Sequence, residues 1–183
     1  MKVMSWALYV GRFQPFHKGH LYAVKRILEE EEKLIILIGS SLSSHEIRNP
    51  FTLGERIQMI LLALDDEKID RKRYLISSVP DTSFHPSWVT HVKKSVPYFY
   101  VVYTNDALTR VLFQEEGYVV KPVPLLNREI YSGTEIRRRI INGEEWSELV
   151  PRSVYEFIIS IGGDARIRAL NSSDSVAQKD SNL

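Results

Sequence analysis

The sequence predicts an open, parallel α/β sheet of about five strands, wound with helices and closed by further helices at its C-terminal end. Three observations predict it. Short apolar runs recur along the chain, and the first two stop at a glycine. Segments with helical apolar spacing lie between them. The chain is 183 residues long, the size of one domain. Strand and helix alternating in this way define the doubly wound, Rossmann-like architecture.

Residues 5–10 (SWALYV) form the first run and end at Gly11; residues 34–38 (LIILI) form the second and end at Gly39. Between them, residues 19–32 read as an amphipathic helix, with Leu21, Val24, Ile27 and Leu28 on one face. Strand, crossover helix and strand make a βαβ unit with a parallel pair. Thr52 caps a second helix reaching about Leu64, with Glu55 three residues on as in a capping box. Strands follow over 74–79, 98–103 and 118–123, and helices over 88–96 and 107–116, ended by Pro97 and Gly117. Helices near 133–141 and 151–161 close the domain, which spans residues 1–167. From Arg168 to Leu183 the abundance of Ser, Asp, Asn and Lys predicts a disordered polar tail.

Composition narrows the function. With 24 basic and 23 acidic side chains the net charge is +1, so no general nucleic-acid partner is expected and any anion site is local. The absence of cysteine excludes disulfides, thiolate metal sites and a cysteine nucleophile. No run reaches the roughly 18 apolar residues of a membrane span. The first ten residues also lack the pattern of a signal peptide. A cytoplasmic location with no membrane partner is the expectation.

Ligands of doubly wound sheets lie beyond the carboxyl ends of the strands. The first strand runs directly into Gly11-Arg12-Phe13-Gln14-Pro15-Phe16-His17-Lys18-Gly19-His20. The helix that starts here offers free N–H groups and a positive dipole end to phosphate. His17 and His20, three apart, share a face. Arg12 and Lys18 add charge, and Gly11 and Gly19 allow close backbone approach. Neither GxxxxGK[ST] nor GxGxxG is present, so imidazoles and basic side chains must hold the phosphates. One histidine here would read as a helix cap. Two, with Arg and Lys alongside, point to phosphate chemistry.

A second constellation, YSGTEIR, begins a late helix. Ser132 is its N-cap, Glu135 is placed to complete a capping box, and Ser132, Thr134 and Arg137 can hold an anion. Arg137, Arg138 and Arg139 point in different directions, so only one or two can face a ligand. Alone, this segment would read as a capped surface helix. Arg48, in SHEIRNPF after the second strand, is a further candidate phosphate contact. Asp81 and Trp88 follow the third strand, and Asn105 follows the fourth.

His17-Lys18-Gly19-His20 resembles the HxGH signature of the HIGH-type nucleotidyltransferase superfamily, and Ser132, Thr134 and Arg137 match its second signature, SxTxxR. The ten residues GRFQPFHKGH, with SHEIRNPF and WVTHV, are similar to the archaeal-type nicotinamide-nucleotide adenylyltransferases. The resemblance covers roughly residues 9–162. It implies transfer of the adenylyl group of ATP to nicotinamide mononucleotide (NMN), giving NAD and pyrophosphate. His17 and His20 would contact the ATP phosphates, Arg12 the reacting phosphates, and Arg137 the departing pyrophosphate. Gly11, Phe13, Lys18, Gly19, Arg48, Ser132, Thr134 and Asn105 would complete the ATP site. Asp81, Phe13 and Trp88 would bind NMN, the indole stacking on the pyridinium by cation–π attraction; a core position is the other reading of Trp88. Mg²⁺ would ride on the ATP phosphates without a dedicated protein cage. A homo-oligomer, hexameric in the family, is implied. Pantetheine-phosphate adenylyltransferase and the cytidylyltransferases share HxGH and remain rival enzymes. A nucleotide-binding regulatory module without turnover is the rival from another class.

Overall fold

The computed structural model describes residues 6–180, with side chains described as far as 172. Five strands, β1 (Trp6–Gly11), β2 (Leu34–Ile38), β3 (Tyr74–Ser78), β4 (Phe99–Tyr103) and β5 (Val119–Lys121), form one sheet in the order β3-β2-β1-β4-β5. Every pairing is parallel. The helices are α1 (Lys18–Glu30), α2 (Leu53–Asp66), α3 (Trp88–Ser95), α4 (Ala107–Glu115), α5 (Gly133–Asn142), α6 (Arg152–Ser160) and α7 (Gly163–Asp180). The strand order reverses at β1, whose neighbours are β2 and β4. The carboxyl end of β1 is therefore the switch point, and it leads into the histidine motif.

The chain packs as two compact units. The first contains the sheet and comprises the chain as far as Arg12, Leu21–Leu42 and Lys68–Leu125. The second comprises Phe13–His20, Ser43–Glu67 and the chain from Leu126. In the first, all five residues of β2 are buried, the signature of a parallel strand covered on both faces. Leu8, Ile35, Leu37 and Val102 meet Val89 and Val92 of α3 and Leu112 and Phe113 of α4 in its core. Arg73 holds the C-terminal end of α1, donating to the carbonyls of Leu28, Glu31 and Glu32 that the helix leaves unpaired.

In the second unit α2 packs on α6, and α7 packs on both α5 and α6. Thr52 and Glu55 form the full capping box expected. Ser132 caps α5 by accepting from the Glu135 N–H. The reciprocal half is absent, because Glu135 turns to Arg138 and Arg139 instead.

The C-terminal segment differs from its expectation. Helix α7 continues past Arg168, where composition predicts an irregular tail. Ile167 is buried, Arg168 pairs with Asp164 one turn back, and Arg166 is tied to α2. These contacts and the helix formers Ala165, Arg166, Arg168, Ala169 and Leu170 outweigh the polar composition. The last three residues lie outside the described range. Among the described residues, no helix is long and apolar enough to cross a membrane.

Candidate active site

The centre of the site is the first turn of α1. His17 stands at its N-cap, and its Nδ1 accepts the backbone N–H of His20 at 3.3 Å. Nδ1 of His20 reaches back to accept the N–H of His17, also at 3.3 Å. This is a capping box in which imidazoles replace the usual hydroxyl and carboxylate. The rings stack, centroids 3.5 Å apart and 21° from parallel. With both Nδ1 atoms accepting, each ring carries its proton on Nε2.

The electrostatics agree. Burial, and after it the charge of Arg137, pushes the pKa of His17 down to about 3. Burial, and then the neighbouring His17, holds His20 well below the ordinary imidazole range. Both rings are neutral N–H donors near pH 7. The motif thus supplies neutral donors at a helix N-terminus.

Gly19 lies where a β-carbon would stand 3.0 Å from the His17 ring and 3.1 Å from Cβ of Tyr131. A side chain here would push the ring out of its stack. Phe13 precedes the pair with φ 54°, unusual for a residue with a β-carbon. Its ring is 1% exposed and packs against Phe16 and His20. The ring buttresses His20, which leaves the main chain as the part of Phe13 open to a nucleotide.

Arg137 is the arginine of its triplet that turns to the motif. Its Nη1 donates to the Gln14 carbonyl at 2.6 Å, and its Nη2 to Thr134 Oγ1 at 3.4 Å. Arg138 is committed to Glu135 and Glu144, and Arg139 to Glu135 and the Glu145 carbonyl. Gly133 makes the approach possible, for a β-carbon there would meet the Gln14 oxygen at 2.9 Å and Arg137 Nη1 at 3.0 Å. Ser132 and Thr134 thus serve the cap and the arginine. Lys18 lies 3.9 Å from Glu148.

Gln14 has no role in the sequence reading beyond membership of the motif. Its side chain is 4% exposed. Nε2 donates to the Phe51 carbonyl and Oε1 accepts the Phe51 N–H, both at 2.9 Å. Arg48, three residues before Phe51, is exposed. The signal available was chemical: a primary amide offers one donor and one acceptor, the complement of a backbone peptide.

In the first unit, Gly11 ends β1, its carbonyl accepts from Gly39, and Arg12 follows it, exposed. Asp81 is exposed beyond β3. Trp88 is 9% exposed, sits edge-on to Phe113 in the core, and donates its indole N–H to the Pro80 carbonyl. The core reading describes its placement, and the ring offers little surface to a pyridine. The Asn105 amide exchanges two hydrogen bonds with Val123, at 3.1 Å each, so it joins the chain beyond β4 to the chain beyond β5; one amide hydrogen and one oxygen lone pair are not used in this exchange.

A parallel sheet whose first strand feeds a capped histidine pair, with an arginine brought to the same turn from a second motif, defines a nucleotidyltransferase. The cytidylyltransferase-like family model matches residues 8–139. The chain is 45% identical to the nicotinamide-nucleotide adenylyltransferase of Pyrococcus furiosus, over 97% of this chain and 95% of that protein. It is 47% identical to the enzyme of that name from Methanosarcina barkeri, over 94% and 98% of the two chains. For that of Saccharolobus solfataricus the identity is 47%, over 93% and 99%. The chain belongs to the nicotinamide-nucleotide adenylyltransferase family. A solved bifunctional NMN adenylyltransferase/ADP ribose pyrophosphatase from Francisella tularensis shares the fold, with TM-score 0.80 and 23% identity; the match covers 98% of this chain and 56% of that one. The same protein has been solved with AMP and a manganese ion (TM-score 0.76, 24% identity).

Proposed function

We propose that the protein transfers the adenylyl group of ATP to NMN, forming NAD and releasing pyrophosphate. One observation carries the reaction class: the neutral, mutually capped His17–His20 pair stands in the same unit as the Arg137 guanidinium, which is fixed on the Gln14 carbonyl. The choice of NMN as acceptor is supported by the name the relatives share.

The 5′-phosphate of NMN is an anion at neutral pH and attacks the α-phosphorus of ATP. The bond from that phosphorus to the oxygen bridging the α- and β-phosphates breaks as the new P–O bond forms, and that oxygen leaves as a terminal oxygen of pyrophosphate. No proton has to be removed, so the protein's work is alignment and charge stabilisation. His17 and His20 donate Nε2–H bonds to phosphate oxygens. Being neutral, they need no desolvated imidazolium, and a preorganised donor needs no reorientation in the transition state. Arg137 balances charge on the leaving pyrophosphate, and Arg12, Lys18 and Arg48 are the remaining cations for the phosphates. Asp81 would face the NMN end. Mg²⁺ enters as part of the substrate, on the ATP phosphates. A cytoplasmic, homo-oligomeric enzyme goes with this reading.

The test is direct. Purified protein with ATP, Mg²⁺ and NMN should form NAD, followed by coupling to alcohol dehydrogenase. Folded protein that binds ATP but forms no NAD would overturn the acceptor, and pantetheine phosphate or a cytidylyl reaction would be tried next.

A further inference from the structure

Three segments of the second unit carry groups assigned to the triphosphate, and one buried residue, Gln14, links them through its place in the chain, its main-chain carbonyl and its side-chain amide. Gln14 lies three residues before His17 on the same turn. Its carbonyl accepts Arg137 Nη1 at 2.6 Å, fixing the arginine of the second motif. Its side-chain amide grips both polar groups of Phe51 at 2.9 Å. That grip bears on Arg48. Glu46 and Asn49 exchange backbone hydrogen bonds of 3.3 and 3.0 Å, closing a turn that carries Arg48. Asn49, Pro50 and Phe51 are all buried behind it, so the turn enters the fold through Phe51.

We propose that Gln14 is a positioning residue for adenylyl transfer, setting the place of Arg48 through Phe51 and of Arg137 through its own carbonyl. It touches no substrate. The inference rests on the reading that Arg48 and Arg137 hold ATP phosphates. An amide is required because Phe51 presents a donor and an acceptor together: a carboxylate satisfies only the N–H, and a thioether neither. Misplacement of a charged contact by about 1 Å is enough to cost on the order of 100-fold in rate.

The test is a double-mutant cycle on the full chain, with Gln14→Met, Arg48→Ala and the pair, read as kcat and KM for ATP and as equilibrium ATP binding. Gln14→Met, close in volume, should lower kcat/KM for ATP by about 10- to 100-fold. In the Arg48→Ala background the same change should cost markedly less, because part of what Gln14 positions is gone. Costs that multiply in full would overturn the proposal, as would a Gln14→Met enzyme within about twofold of the parent. Gln14→Glu guards against a simple folding defect. Its deficit relative to the parent should shrink as pH falls and the carboxyl gains the proton it needs to donate; a deficit equal at every pH would overturn the proposal. If the parent makes no NAD, the acceptor reading fails, while the ATP-binding arm still decides whether Gln14 acts through Arg48.

Discussion

His17 and His20 each accept the other's backbone N–H on Nδ1, at 3.3 Å in both directions, with their rings stacked 3.5 Å apart. The arrangement fixes tautomer and charge together. Neither ring should titrate between roughly pH 5 and 8, where a free histidine does. Imidazole proton shifts followed by NMR in the ligand-free enzyme should stay flat for these two, and a midpoint near 6.5 for either would remove the neutral-donor assignment. Because the folded pKa values lie below the unfolded value, the unfolded chain binds protons first as pH falls. Stability from these groups is full above about pH 6.5 and declines below it, by about 1.4 kcal/mol per pH unit for each histidine. Urea midpoints between pH 7 and 5 measure that slope, which His17→Ala should reduce.

His20→Ala should lower kcat at least ~100-fold, the scale for one preorganised donor, while circular dichroism stays native. The cap is lost too, at about 1 kcal/mol. Normal turnover in this variant would sink the role.

Gly133 predicts a sharper result than its size suggests. A β-carbon there meets a backbone carbonyl at 2.9 Å and the Arg137 guanidinium at 3.0 Å. The carbonyl cannot swing away, so the guanidinium must move. Gly133→Ala should therefore cost about 1–3 kcal/mol of stability through overpacking and lower kcat/KM for ATP by at least ~10-fold. Gly54, with nothing near its β-position, is the control: Gly54→Ala should leave kcat/KM for ATP unchanged. Equal kinetics for the two variants would show that the close approach is not needed.

The three consecutive arginines of α5 should separate cleanly. Arg137→Ala should lower kcat/KM by roughly 100-fold or more. Arg138, exposed and occupied by Glu135 and Glu144, should be replaceable by Ala with a change below about threefold, as for a solvated ion pair. The comparison is made by steady-state pyrophosphate release. A large loss at Arg138 would mean that the helix presents a different face to ATP.

Much of this was legible in the sequence, for identifiable reasons. Apolar runs stopping at Gly11 and Gly39 marked β1 and β2 within a residue, because a buried parallel strand needs continuous hydrophobicity. HKGH and SGTEIR marked the two turns that the second unit brings together, since spacing alone sets which side chains share a face. What stayed hidden depended on partners distant in the chain. Asn105 and Gln14 both clamp a backbone peptide, one 18 and the other 37 residues away. Nothing local to either distinguishes that from ligand contact. Trp88 was ambiguous because a short amphipathic helix at a ligand-side turn buries an aromatic as readily as it displays one. Helix α7 was missed because its tie to α2 is absent from its own composition.

That tie yields the last prediction. Arg166 donates from both terminal nitrogens to the Glu55 carboxylate, at 2.7 and 2.8 Å, and from Nη1 to the Pro50 carbonyl at 3.1 Å. Both side chains are about four-fifths buried, so solvent screens the pair little. Arg166 is the foremost reason that Glu55 sits below the ordinary carboxylate range, ahead of burial, which opposes the shift, and of the Thr52 N–H, which reinforces it. A depressed folded pKa means the contribution is complete above the unfolded value of about 4.3 and is lost as pH falls through the folded one. Arg166→Ala should therefore cost about 1–3 kcal/mol at pH 7, and the gap to the parent should narrow toward pH 3. It should not close, because the bond to Pro50 does not titrate. Arg166→Lys should fall between the two, lacking the paired geometry of a guanidinium. Chemical denaturation of the three proteins at pH 7 and pH 3 decides it. A gap constant across that range would assign the stability to packing of α7 on α5 and α6, with the charge pair contributing nothing measurable.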